Sequence, residues 1–309
     1  MKHAIFSDIH GNIHALEAAL SDARVHNADS YLFLGDYTYG YPWGNDVAAT
    51  IRELESASII RGNGEGYLIN LRRESQSEWI SEQFKPIYWA YRALSNENLD
   101  YLTNLPETIE ISDDGERVRL AHSSDIFYRA EKIELFHSSL IRTNMPVTFT
   151  HQEYLDAARN AVMSRSDVLA DITKLPAGVY LFGHNHMQFH MEHEGRLFIN
   201  PGSCGEALDR NATAAYTLLE RVGGRWEITE RRVEYDLSGA ADGLVTSGYA
   251  AYAPVWSDIM KAELMTGRDY FGPFVRHVIE TGRQLGNTEY PVCNAVWDAA
   301  VKSWDINKL

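Results

Sequence analysis

Strand-like apolar runs and helix-spaced apolar positions alternate through the first third of the chain. His3 to Ser7 carries a buried-strand pattern that ends in the turn Asp8-Ile9-His10-Gly11-Asn12. Ala15, Leu16, Ala19 and Leu20 then recur at helical spacing. Tyr31 to Leu34 repeats the strand and meets Gly35-Asp36. Val47, Ala48, Ile51 and Leu54 predict a second helix, and Ser58 to Ile60 predicts a third strand running into Gly62-Asn63. Three such strand–turn–helix units imply parallel strands covered by helices. In each unit the polar residues fall just past the strand's carboxyl end, where open α/β sheets place their ligands.

Further on, Glu65 to Leu105 reads as helical segments ended by Pro106. Thr108 to Ile111 and Arg117 to Ala121 flank Asp113-Asp114-Gly115 as a hairpin, with His122 following directly. Asp125 to Leu175 returns to helix, and Thr150-His151-Gln152-Glu153 fits a capping box. Val179 to Phe182 predicts a strand followed by Gly183-His184-Asn185-His186. Gln188 to His193 with Arg196 to Ile199, and Tyr216 to Glu220 with Trp226 to Arg232, predict two more hairpins. The late hairpins make the sheets mixed. From about Leu237 the pattern is helical, aromatic and punctuated by Pro254 and Pro273. These patterns give an α/β fold over residues 1–235, with helical insertions near 65–105 and 125–175. A helical C-terminal extension over 236–309 is expected to pack on the same domain.

Composition narrows the class. The 309 residues are 45% hydrophobic and 23% charged, values of an ordinary globular chain rather than a disordered or fibrous one. A formal net charge of -15 argues against sequence-independent capture of nucleic acid or of an anionic membrane. It leaves room for a polyanionic substrate, because bound cations invert the local field of an acidic site. Two cysteines, Cys204 and Cys293, cannot build a disulfide framework, and no stretch reaches membrane-spanning length, so a cytoplasmic protein is expected.

Seven residues placed after strands can ligate a metal: Asp8, His10, Asp36, Asn63, His122, His184 and His186. Asp8 and His10 are two apart, as are His184 and His186, so on an extended exit each pair points to one side. A carboxylate, imidazole and carboxamide set suits Mn, Fe or Zn rather than a thiolate-preferring site. A single four-ligand site leaves three of the seven without a role, whereas two adjacent ions sharing a carboxylate use them all.

Asp8-Ile9-His10, Gly35-Asp36 with Gly40, Gly62-Asn63, Ala121-His122 and Gly183-His184-Asn185-His186 stand in the order that marks calcineurin-like metallophosphoesterases. Over about Met1 to Arg232 the chain resembles that family. Ser7 to Asn12 with Ala15-Leu16-Glu17, and Asn200-Pro201-Gly202-Ser203, look like its bacterial branch of small phosphodiesterases and phosphatases. The resemblance implies a four-layer α/β/β/α sandwich of two mixed sheets. It also implies a binuclear centre, with Asp8, His10 and His186 on one ion, Asn63, His122 and His184 on the other, and Asp36 bridging. The implied reaction is in-line attack by a hydroxide held between two divalent ions on a small phosphate mono- or diester. Mn or Fe is the expected metal, with Zn, Ni or Mg compatible.

One position departs from the family, which usually has a His after Gly-Asn to protonate the leaving group; here it is Gly64. General acid catalysis is typically worth about 10²–10⁴-fold, so activated esters, diesters or anhydrides are favoured unless another group substitutes. His14 and His151 are the candidate substitutes. Asn12, Asn63, Arg61 and Tyr39 are candidate substrate contacts, though turn, hairpin and packing duties explain Asn12, Arg61 and Tyr39 equally well. The same choice faces Tyr37, Tyr41 and Trp43, while Cys204 reads as a small buried hydrophobe. Gly64 also admits a second function, a non-catalytic phosphate- or nucleotide-binding regulator that retains the metals. A nuclease is disfavoured by the acidic balance, and a homo-oligomer stays open.

Overall fold

The computed structural model describes residues 1–123 and 150–306. The expected start of the second helical insertion lies outside these residues. Two five-stranded mixed sheets form the centre. In the first, β1 (Lys2–Phe6), β2 (Ser30–Phe33) and β3 (Ala57–Ile59) run parallel, β9 (Ala214–Val222) pairs antiparallel with β1, and β10 (Arg225–Val233) pairs antiparallel with β9. In the second, β4 (Thr108–Asp113), β5 (Glu116–Ala121), β6 (Gly178–Leu181), β8 (Arg196–Pro201) and β7 (Gln188–His193) lie in that spatial order.

Ile5, Leu32, Leu34, Ile60 and Leu219 of the first sheet meet Val118, Leu120, Val179, Leu181 and Ile199 of the second, all buried. The opposite faces are covered by helices. Ala15, Leu16, Ala19 and Leu20 of α1 (Ile13–Val25) and Val47, Ala48 and Ile51 of α2 (Gly44–Arg52) pack on Phe6 and Phe33. Across the molecule, Val168 and Ile172 belong to a helix over Ser166–Thr173. They pack with Tyr154 and Leu155, from a helix over His151–Met163, on Phe182, Phe189 and Phe198. This is the α/β/β/α order that the family resemblance implies.

The 65–105 segment forms α3 (Asn63–Leu71), α4 (Lys85–Ala93) and α5 (Asn96–Thr103), with two short 3₁₀ turns before α4; the helices over His151–Met163 and Ser166–Thr173 are α6 and α7. The C-terminal helices are α8 (Leu237–Thr246), α9 (Tyr249–Tyr252), α10 (Pro254–Thr266), α11 (Phe271–Gln284) and α12 (Asn294–Ser303). Pro254 and Pro273 both lie in first turns, where no intrahelical N–H bond is lost. Trp256, Phe274 and Trp297 centre a separate cluster that also takes Tyr41, from the loop after β2. The Tyr41 hydroxyl donates to the Met260 carbonyl at 3.2 Å, tying α10 to that loop.

Candidate metal centre

The strands stop one residue short of the sequence expectation at Phe6, Phe33, Ile59 and Leu181, because the next residues leave the ladder for the loops that build the site. Backbone bonds join these loops to one another. Asp8 N–H donates to the Gly35 carbonyl, Ile9 and His10 N–H donate to Asp36, and Cys204 N–H donates to Ser7. The Ser203 hydroxyl adds a bond to the Asp8 carbonyl at 2.6 Å. Gly35 has φ +106°, and a Cβ there would lie 2.4 Å from the Gly62 nitrogen, so only glycine lets the second and third loops touch.

Asp8, His10, Asp36, His184 and His186 all have positive φ, between 51° and 70°. The extended-exit geometry expected for the Asp-x-His and His-x-His pairs is therefore replaced by left-handed turns. Such turns cost non-glycine residues of order 1 kcal/mol or more each. They fold the side chains inward to a common point. Asp8, His10 and His186 form one group and Asp36, His122 and His184 another, with ligand atoms within 4.8 Å of one another in each. Asp36 Oδ2 lies 3.4 Å from His122 Nε2 and 3.9 Å from His10 Nε2, between the two groups. Asn63 Oδ1 stands 3.0 Å from His122 Nε2 on the second side.

Nδ1 of His10, His122 and His186 each meets a backbone carbonyl, of Tyr39, Leu34 and Glu206, at 2.8–2.9 Å. A carbonyl only accepts, so each Nδ1 carries the proton and Nε2 is turned to the centre, the arrangement usual for metal-bound imidazole. His10 Nε2 faces His186 Nε2 at 3.2 Å, and His122 Nε2 faces His184 Nδ1 at 3.2 Å. Asp8 Oδ2 accepts from the His184 N–H, while Asp8 Oδ1 is buried with no hydrogen-bond partner among the described residues. The facing nitrogen lone pairs of His10 and His186, beside a buried carboxylate oxygen without a donor, are costly unless a cation sits between them. The donor set thus fits two divalent ions of the borderline or hard kind.

Burial opposes ionisation of Asp8, but His186, His122 and His10 hold it far below the ordinary carboxylate range. Burial likewise opposes Asp36, which His122 and His10 bring down to about 2. Burial and His186 push His10 down to about 4, and burial and His122 do the same to His184. Both carboxylates are thus charged and both of these imidazoles neutral at pH 7, the forms that ligate. His122 is the exception: burial opposes its charge, yet the Asp36 carboxylate raises it to about 10.

The family model of the calcineurin-like phosphoesterase superfamily domain matches residues 1–221. The chain belongs to this superfamily. Membership supports a metal-dependent phosphoesterase, and two candidate metal-ligand groups stand at the strand ends. An uncharacterized protein of Methanocaldococcus jannaschii is 27% identical over 258 residues, 78% of this chain and 91% of its own. The solved metallophosphoesterase of Sphaerobacter thermophilus is 23% identical at a TM-score of 0.59, spanning 86% of this chain and 100% of that one. A hypothetical protein of Pyrococcus horikoshii is 16% identical at 0.61, spanning 87% and 99%. These structures share the fold.

Other candidates of this phosphoesterase chain fall elsewhere. Asn12 caps α1 by accepting from the Ala15 N–H, and its amide donates to the Gly205 carbonyl and the Tyr235 hydroxyl. These bonds give Asn12 a structural role at the start of α1. Arg61 pairs with Glu107, and His14 packs edge-on against Trp43 at 4.8 Å. His151 donates to the Asp209 carbonyl. None of the four lines the cavity beside the centre. Tyr37 is spent on the Ile60 carbonyl and the Gly35 N–H, and Cys204 is a buried thiol that does not line the cavity either.

Tyr39 does line the cavity. Its hydroxyl lies 3.4 Å from both Asp36 Oδ2 and the Asn63 amide nitrogen. A Cβ on Gly64 would stand 2.6 Å from the Tyr39 ring and 3.1 Å from Asp36 Oδ1. The tyrosine therefore occupies the space that a side chain at position 64 needs. Two further residues escape the sequence reading. Glu206 Oε2 is 3.5 Å from His10 and 3.6 Å from His186, and the only sequence signal is its place just past Asn200-Pro201-Gly202-Ser203. Glu65, fully buried, accepts the Asp36, Tyr37 and Gly62 N–H groups at 2.8–3.0 Å and so fixes the loop that carries Asp36.

Proposed function

We propose that this protein is a binuclear phosphoesterase acting on a small phosphorylated substrate. Asp8, His10 and His186 hold one divalent ion, and Asn63, His122 and His184 hold the second. Asp36 lies between them. The placement of Asp36 Oδ2 within reach of both groups, beside Asp8 Oδ1, which meets no hydrogen-bond donor among the described residues, carries this reading. Divalent cations bound there supply Lewis acidity at phosphoryl oxygens and lower the pKa of water towards neutrality. Mn or Fe is the metal proposed, with Zn, Ni and Mg as the competitors.

The chain's own residues supply orientation and hydrogen bonding. Glu65 and the first N–H groups of α3 hold Asp36, with Gly64 N–H donating to its Oδ1 at 2.7 Å. That leaves Oδ2 turned to the centre. The Tyr39 hydroxyl accepts from the Asn63 amide and donates to Asp36 Oδ2, and it turns that single proton to a bound substrate at the place where relatives carry a histidine. Burial and then the Asp36 charge push Tyr39 well above its usual range, so it keeps its proton at neutral pH. A proton-bearing group beside Asp36 favours turnover over the non-catalytic regulator that Gly64 alone would suggest.

The test is chelator stripping followed by re-metallation with Mn, Fe, Zn, Ni or Mg, assayed on an aryl phosphomonoester and an aryl phosphodiester. Activity is expected to vanish on stripping and to return, diester above monoester. Tyr39→Phe is expected to lower kcat by about tenfold or more, the worth of one hydrogen bond to a charged group. No turnover with any metal, despite two ions bound, contradicts catalysis and supports the regulator.

A further inference from the structure

A cavity of about 390 Å³ starts at His10, Asp36, His184 and His186 and runs between the 65–105 segment and the C-terminal helices. An apolar cavity of about 150 Å³ holds benzene. This one therefore has room for a phosphoryl group at the centre and for an organic group attached to it. Among the described residues, the exposed aromatic side chains are Tyr67, Phe271 and Tyr290, at 42%, 46% and 65%, and all three line this cavity. Apolar groups left exposed together mark a place where a ligand or partner is held.

Two of the rings are fixed by their surroundings. Tyr67, on α3, meets Tyr39 edge-on at 6.2 Å and so continues the aromatic surface outward from Asp36. Phe271 opens α11, where its N–H donates to the buried Glu263 carboxylate at 2.8 Å and its ring lies 5.5 Å from Trp256. Ile87, Met260 and Val275 extend the apolar lining.

The polar lining groups are already used. Asp36 and Glu206 face His10 at the metal end. Farther out, Asp269 accepts the Gly272 N–H at 2.8 Å, and neither it nor Arg276 is free. Gln83 Oε1 and the Tyr249 hydroxyl are buried out of a ligand's reach. Tyr67 and Tyr290 are exposed enough for water to satisfy their hydroxyls. What the cavity offers a ligand away from the metal centre is therefore ring surface.

We propose that this cavity holds the organic group of the substrate, and that this group is an uncharged ring of low polarity. Aromatic esters of phosphate are then preferred to sugar, polyol or polyphosphate ones. The ring packs against Tyr67 and Phe271, with Tyr290 beside it. This rests on the phosphoesterase reading, which places the phosphoryl group at the metal centre.

The experiment titrates methylphosphonate, benzylphosphonate and dihydroxypropylphosphonate into the metal-loaded full-length protein by calorimetry, since none of the three has an ester bond to hydrolyse. Benzylphosphonate is expected to bind at least tenfold more tightly than methylphosphonate, the worth of burying one ring. The dihydroxypropyl compound is expected to match methylphosphonate within about twofold, because its hydroxyls exchange water for no better partner. Tyr67→Ala and Phe271→Ala, at exposed positions and checked for unchanged melting temperature, are each expected to cut the benzyl advantage about threefold or more. The proposal is overturned if benzylphosphonate binds no more tightly than methylphosphonate, if the dihydroxypropyl compound gains as much, or if both folded variants keep the full advantage. Because the first comparison uses wild type alone, a variant that fails to fold does not spare the proposal. A benzyl advantage without turnover of any phosphate ester defeats the phosphoesterase reading and leaves the ring site standing. Turnover of aryl esters without a benzyl advantage does the reverse.

Discussion

At the residue scale, chemistry and strain coincide. Five of the seven ligand candidates sit in left-handed backbone, a conformation that asparagine, aspartate and histidine tolerate better than most residues but do not prefer. Sequence spacing showed which residues belong together, since Asp8, His10, Asp36, Asn63, His122, His184 and His186 each follow a strand. It did not show that turns rather than extended exits bring them inward, because φ has no signature outside glycine. Nor did it show Glu206, an ordinary acidic residue until the fold places it against His10. The same scale explains Gly64. Restoring the family's side chain with Gly64→His drives the new Cβ into the Tyr39 ring. We expect this variant to lose at least tenfold in kcat/KM and to melt below wild type. A gain in monoester activity at unchanged melting temperature would show that the space is not taken.

At the element scale, site and scaffold are separable. The apolar spacing of α1 and α2 and the alternation in the hairpins were legible, because burial on one face dictates them. Strand ends were not, since the last apolar residue of each run continues into a loop whose hydrogen bonds lie between loops rather than within the ladder. Away from the centre, α1 is fastened to the first sheet by Asp22. Its carboxylate takes both Arg231 nitrogens at 2.9–3.0 Å and the Tyr216 hydroxyl at 2.6 Å. Burial opposes its ionisation, but the Arg231 and Tyr216 hydrogen bonds lower its pKa. A group lowered on folding adds stability above its unfolded value and loses it as pH falls through the folded one. Asp22→Asn is therefore expected to destabilise the protein at pH 7 and to approach wild type below about pH 4. Denaturation midpoints compared across that range check this; a gap that widens in acid would contradict it.

At the scale of the whole molecule, the two-sheet sandwich supplies the loops and the C-terminal helices supply the cavity's far wall. The α/β class and the mixed sheets were readable from order and period, whereas the four-layer sandwich followed only from the family resemblance. The C-terminal segment was readable only as helical and aromatic, because its partners, Tyr41 and the 65–105 helices, are remote in sequence. Its cluster behaves as a packed core: Phe274 is fully buried between Trp256 and Trp297, so Phe274→Ala is expected to cost about 3–5 kcal/mol by denaturant titration. A cost under about 1 kcal/mol would mean that these helices do not form a cooperative core.

Asp36 stands between two candidate metal-ligand groups, and metal counting tests its proposed bridging place most directly. Protein stripped, reloaded with Mn and freed of excess metal should retain two ions per chain by elemental analysis. Asp36→Asn, with wild-type circular dichroism, should retain no more than one. Two ions held by the folded Asp36→Asn protein, or one by wild type, would contradict a binuclear centre built around this carboxylate.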